Sequence, residues 1–274
     1  MRRRVGVREP GRKATPVLVL IAMLAVQLIF LGLLGAIVGS FLNVVVHRLP
    51  RGESVVSPRS RCLGCGTPVA ARDNVPVLSW LLLRGRCRHC GDRISARYPA
   101  LELVTALVFM SVGLARGADP RLVAELPFAA ALIAIAAIDL EHRIVPNRIV
   151  LPAAVFALLA GAVVRFGDLP ELLIAGAGAF AFLLLAALAY PAGMGMGDVK
   201  LAGVMGLFLG LSVVPALFLA FLLGALVGVG MILSQGPSAR KKGVPFAPFL
   251  AAGGFAALVS GPQIISLYTE RFLS

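Results

Sequence analysis

The chain has 274 residues, 59% of them hydrophobic and 14% charged, with a formal net charge of +13 and a mean hydropathy of +0.92. A soluble domain of this size needs far more polar surface, so the composition excludes one and indicates an integral membrane protein. The basic residues lie in the gaps between apolar runs rather than along one face, which reads as membrane topology and not as nucleic-acid binding.

Residues 1–16 form a basic tail containing Pro and Gly, for which disorder is expected. The uncharged run 17–46 predicts a first transmembrane helix, because about 20 helical residues cross roughly 30 Å of hydrocarbon. It is too long for a secretory leader and has no small-residue cleavage site after it. Further apolar runs at 99–115, 122–138, 149–164, 172–191 and 244–268 predict five more spans. The stretch 199–233 would measure roughly 52 Å as one helix, and residues 212–215, ending in Pro215, offer a break that divides it in two. The expected fold is therefore all-α and polytopic, with about eight transmembrane helices.

Lysine and arginine counts orient these spans. With the loop 47–98 inside, the inner segments hold sixteen and the outer ones four, the tail set aside. That bias places the loop in the cytoplasm. The six basic residues of the tail are the misfit, and translation starting at Met23 would remove them while leaving a sufficient first span.

At the end of the first span, GSFLNVVVHRLPRGES (39–54), Asn43 lies within an apolar run and needs a partner in lipid. It reads as a helix-to-helix hydrogen bond or as part of a site, and His47 as an interfacial residue. Residues 47–98 form the one sizeable polar module and hold all four cysteines, as CLGC (Cys62, Cys65) and CRHC (Cys87, Cys90). Each pair is followed by a glycine, Gly66 or Gly91, which permits the tight turn that lets two thiolates converge. Two CxxC pairs match a tetrahedral structural zinc site. Disulfides are the alternative, disfavoured by a reducing cytoplasm. Fifty residues lack core enough to fold alone, so metal binding would supply the folding energy. His89, between the last two cysteines, is not needed to complete the shell.

Glu102 lies near the cytoplasmic end of the second span and reads equally as site lining or as a structural partner; Glu125, at the opposite end, reads as interfacial. The remaining span 99–274 contains two aspartates where a greasy run meets a polar turn: Asp139 in AIDLEHRIVPN (137–147) and Asp198 in GMGDVKLAG (195–203). A carboxylate at such depth is costly and a functional candidate by default. Two carboxylates brought together share a proton, so one can take a proton from water while the other polarises a scissile carbonyl. Asp139 and Asp198 are thus the candidate catalytic dyad, without separate roles. Taken singly, each could merely cap or end a helix. Lys200 reads as a positive-inside anchor or as tuning the dyad, and Glu141, His142 and Arg143 as a solvated charged turn. GALVGVG (224–230) is expected to pack helices closely.

The block 39–54, DNVPVLSWLLLRGRCRHC (73–90), ISARYPALELVTAL (94–107) and the two aspartate stretches resemble, in order across 39–203, the bacterial type IV prepilin peptidase family. GMGD is also similar to the GxGD form of intramembrane aspartyl proteases. The resemblance implies a protease of the cytoplasmic membrane that removes the short basic leader from prepilins and pseudopilins. It further implies methylation of the new N-terminus from S-adenosylmethionine, whose site no residue of the sequence marks. No HExxH or GxSxG motif offers a competing chemistry. A proton-coupled transporter is the alternative from another class, and would need acids distributed through the membrane depth; a noncatalytic assembly scaffold is a third.

Overall fold

The computed structural model describes residues 14–190, 193–236 and 243–272, and among these the regular elements are all helices. Most of the basic tail, and the cluster Arg240, Lys241 and Lys242, lie outside the described residues. Helix α1 (Ala14–Arg48) leads into the polar module, whose only α-helix is the short α2 (Leu78–Leu82). Then follow α3 (Arg97–Arg116), α4 (Leu122–His142), α5 (Asn147–Val164), α6 (Leu169–Ala189), α7 (Met196–Leu209), α8 (Val213–Gln235) and α9 (Ala247–Phe272). Among the described residues six stretches are long and apolar enough to cross a membrane, and one of them, Met196–Gln235, contains both α7 and α8. The break expected at 212–215 lies slightly earlier, at Gly210–Ser212, where Gly210 takes a φ of 58° and a 3-10 turn separates the two, and Pro215 falls in the first turn of α8. This is a multi-pass membrane protein.

In lipid, helices associate through close packing rather than hydrophobic expulsion, so small residues mark the contacts. Gly35 and Gly39, one turn apart on α1, do this against α3. A Cβ at either would sit 2.7 Å from the α3 backbone, at Ala106 and Glu102 respectively. The same device brings α7 onto α6, where a Cβ at Gly206 would meet Ala175 O at 2.5 Å. The segment GALVGVG behaves otherwise: Gly228 and Gly230 face open space, and only Gly224 has neighbours, the rings of Phe246 and Phe249. The expectation of close packing there is corrected, because Gly and Ala suit a lipid-facing surface as well as a protein-facing one.

The core lies where α4, α7 and α9 meet, around Phe128, Ile135, Leu201, Met205, Leu250 and Leu258. Phe128 and Phe208 stack there with centroids 4.3 Å apart. Ten of the 14 residues of α7 are buried. At roughly 21 Å this helix is shorter than the hydrocarbon layer, and it is walled by its neighbours. Its first turn is therefore held inside the protein at one end of the bundle, and that turn carries Asp198.

Candidate active site

Asp139 lies in the last turn of α4 and Asp198 in the first turn of α7, 5% and 8% exposed. Arg143 closes α4 in the left-handed conformation, its N–H donating to Asp139 O at 2.9 Å. The chain then turns through Val145 and Pro146 into α5. This turn is clamped on the start of α7 at two points. A Cβ at Gly197 would lie 2.6 Å from Val145 Cβ, so only glycine admits the approach. Lys200 Nζ donates to Asn147 Oδ1 at 3.1 Å. The clamp places the two aspartates, 59 positions apart in sequence, at the same end of the bundle.

Their hydrogen bonding differs. Asp139 Oδ2 accepts from the backbone N–H of Ala247 at 3.1 Å. Ala247 is the first residue of α9, whose free N–H groups favour a carboxylate. Asp198 Oδ1 is buried without a hydrogen-bond partner. Among the described residues no lysine or arginine forms an ion pair with either aspartate. One carboxylate is thus oriented by a backbone donor while the other keeps an oxygen for a proton or a water molecule.

The other candidates divide between structural and undetermined. Glu102 accepts from the N–H of Val77 at 2.6 Å, holding the module against α3 at a residue forced to a φ of 60°. Glu125 is at the far end, as expected, but it is buried in an ion pair with Arg116 at 2.9 Å rather than facing the interface. Asn43 Nδ2 donates to Tyr98 O at 3.1 Å, the helix-to-helix bond foreseen, yet its Oδ1 is buried and unpartnered. Glu141 pairs with Arg97 of α3, and His47 lies against Arg51. Lys200 holds the clamp. Sequence reasoning missed Ala247, since a backbone donor has no side-chain signature; Pro248 in the first helical turn was the available sign that α9 starts there.

The four cysteines converge. Their Sγ atoms all lie within 4.8 Å of one another, and Cys62 and Cys90 are 3.7 Å apart. Thiolates on the corners of a tetrahedron with bonds of about 2.3 Å would be about 3.8 Å apart, so the set fits a metal ion. The two halves are built alike. Cys62 N–H bonds to Thr67 O and Gly66 N–H to Cys62 O, while Cys87 N–H bonds to Asp92 O and Gly91 N–H to Cys87 O. Gly66 and Gly91 take φ of 70° and 73°, as the turns require. Arg88 clasps Asp73 with contacts of 2.7 to 3.0 Å, and its guanidinium holds that carboxyl below the ordinary range. His89 is exposed and outside the cluster.

The family profile for the Bacterial Peptidase A24 N-terminal domain matches residues 33–115, and that for the Type IV leader peptidase family matches 126–229. A protein of Bacillus subtilis (strain 168) named prepilin leader peptidase/N-methyltransferase is 36% identical over 252 residues, covering 92% of this chain and 100% of its own. Proteins of the same name from Aeromonas hydrophila and Burkholderia pseudomallei (strain 1026b) are 37% and 35% identical. They cover 88% and 93% of this chain, and 93% of their own in both cases. No solved structure matches the chain.

Proposed function

The chain belongs to the type IV leader peptidase family, and from that premise we propose that it is a membrane-embedded aspartic endopeptidase in which Asp139 and Asp198 are the catalytic pair. Its substrates are prepilins and pseudopilins, whose short basic leader it removes at the cytoplasmic face of the inner membrane. In this reading residues 47–98 are a cytoplasmic module organised by zinc on Cys62, Cys65, Cys87 and Cys90, and 99–274 are the peptidase core. The zinc is structural, since four thiolates leave no open position.

The observation that carries the proposal is the burial of two carboxylates at one end of the bundle, neither in an ion pair with a described residue. Such a pair holds one proton rather than none. The ionised member takes a proton from water, whose oxygen bonds to the scissile carbonyl carbon; the protonated member donates to the carbonyl oxygen. Collapse breaks the C–N bond and returns a proton to the leaving amine. The donor at Ala247 orients Asp139, and the buried, unpartnered Oδ1 of Asp198 is the atom that would bond the attacking water. A transporter relay would need acids at intermediate depth, whereas Glu102 and Glu125 are engaged by Val77 and Arg116 near the two ends.

The new N-terminus is then methylated, with S-adenosylmethionine supplying the methyl group. Co-expression with a prepilin tests the peptidase reading. Wild type should remove the leader, and Asp139→Asn or Asp198→Asn should not; normal processing by either stably inserted variant overturns it.

A further inference from the structure

A cavity of about 410 Å³ lies at the far end of the bundle, between the α3–α4 hairpin, the α5–α6 turn, the break between α7 and α8, and α9. Its volume is that of a small-molecule site, and in the orientation proposed above it faces the outer leaflet. Among the described residues six charged side chains line it: Arg116, Arg121, Arg165, Glu125, Asp168 and Glu171. Their formal charges cancel in sum but not pair by pair. Arg116 is matched by Glu125 at 2.9 Å. Arg165 and Arg121 share one carboxylate, Asp168, at 3.0 and 3.6 Å. Glu171 accepts from the N–H of Leu211 at 2.9 Å and forms no ion pair with a described residue. The walls thus carry one surplus positive charge around Asp168 and one surplus negative charge on Glu171. A ligand of a single sign would leave one of the two uncompensated where water is restricted, which is costly.

We propose that this cavity binds a phosphoethanolamine group, the zwitterionic head of a phospholipid, with its phosphate on Arg121 and Arg165 and its ammonium on Glu171. Guanidinium forks suit phosphate oxygens and form strong charge-assisted hydrogen bonds with them. Arg165 is held through Nε by Asp168 and through Nη1 by Phe208 O, so its position is fixed while Nη2 remains to donate. Arg121 has only its long contact to Asp168 and a side chain 41% exposed, so it can close over a bound phosphate. Glu171 uses Oε1 for Leu211, which leaves Oε2 to accept from an ammonium.

A second observation assigns the group to a lipid. Leu211 lines the cavity, and Val214 and Phe218 follow it at helical spacing along α8. The three are 50%, 63% and 71% exposed, an apolar track leading from the charged cavity toward the hydrocarbon. Acyl chains laid on that track and a head in the cavity match both parts of the surface, whereas a soluble phosphoethanolamine uses only the charged one. Bound there, the lipid ties the α5–α6 turn and α9 to the break after α7. The inference is independent of the peptidase reading, since it uses no residue of the aspartate end.

The test is native mass spectrometry of the full-length, delipidated protein in detergent, titrated with phosphatidylethanolamine, phosphatidylglycerol and soluble phosphoethanolamine. Wild type should bind about one ethanolamine lipid per chain, about tenfold more tightly than the glycerol lipid, the scale of one charge-assisted contact. Glu171→Gln keeps an acceptor for Leu211 but loses the charge, and should abolish that preference. Arg121→Gln should weaken both lipids about tenfold. Both variants should unfold at the wild-type temperature in lipid-free detergent, which separates a lost site from a lost fold, and the wild-type preference is read without any variant. Equal affinity of wild type for the two lipids overturns the proposal, as does an intact preference in Glu171→Gln. Soluble phosphoethanolamine binding as tightly as the lipid overturns the assignment to a membrane source.

Discussion

The two ends of the helix bundle handle buried acids in opposite ways. At the far end the carboxylates have partners: the buried Glu125 with Arg116 at 2.9 Å, the half-buried Asp168 with Arg165 at 3.0 Å, and the half-buried Glu171 with the N–H of Leu211 at 2.9 Å. Arg165 also donates to Phe208 O at 3.1 Å, fastening α5 to the last turn of α7. At the other end Asp139 has one backbone donor, Asp198 has an orphaned oxygen, and among the described residues no cation pairs with either. Paired acids at a helix end act as rivets. Unpaired acids at equal burial are costly to fold around, and such a cost persists where it serves chemistry. Glu125 is as buried as the two aspartates, so burial alone does not separate it from them; satisfaction does.

The largest effects should fall on opposite observables at the two ends. Asp139→Asn or Asp198→Asn should lower leader removal by about a thousandfold or more, the scale of losing an acid or base, while leaving thermal unfolding in detergent nearly unchanged or slightly raised. Glu125→Ala should do the reverse. It strands Arg116, which is itself largely buried, and breaking a buried pair costs about 3 to 5 kcal/mol. The unfolding temperature should drop while the folded fraction keeps its turnover. A stable Glu125→Ala protein with lost activity would break the contrast.

Why one end could be read in advance and the other could not follows from what the sequence displays. Asp139 and Asp198 stand out because they are lone charges at the edges of apolar runs, and the helices stand out by length and hydropathy. The cysteine site was legible from spacing, since each CxxC-Gly unit builds its own turn. The pairing of Glu125 with Arg116 was hidden because it crosses a hairpin between α3 and α4, and a boundary acid looks interfacial until its partner is placed. Glycines were ambiguous for a related reason. Gly35 and Gly39 face α3, whereas Gly228 and Gly230 face outward, and both surroundings are apolar, so composition does not distinguish them.

A smaller effect concerns the module that extends the aspartate end. Trp80 is the only tryptophan of the chain, and its Nε1 donates to Ile94 O at 3.0 Å, close to the second cysteine pair. Purified protein should carry about one zinc per chain. Chelation, or Cys62→Ser with Cys87→Ser, should shift Trp80 emission to the red and open 52–96 to protease. An unshifted spectrum after complete metal removal would show that the turns and the Arg88–Asp73 clasp hold the module without metal, making it as self-sufficient as the far end.

The smallest effect tests whether the aspartate end is positioned by its own rivet. Lys200 donates to Asn147, and together with Val145 on Gly197 this holds the α4–α5 turn to the start of α7. Lys200→Met keeps most of the stem but loses the hydrogen bond, worth about 1 kcal/mol, and should reduce kcat roughly fivefold with KM little altered. Asn147→Ala separates the explanations, because it removes the same bond and leaves the lysine's charge at the membrane boundary. If Lys200 positions Asp198, the two variants should share the kcat deficit, and the double variant should be no worse than either. If Asn147→Ala is silent, the lysine acts only as a charge, and the geometry of the two aspartates rests on the Val145 contact with Gly197 alone.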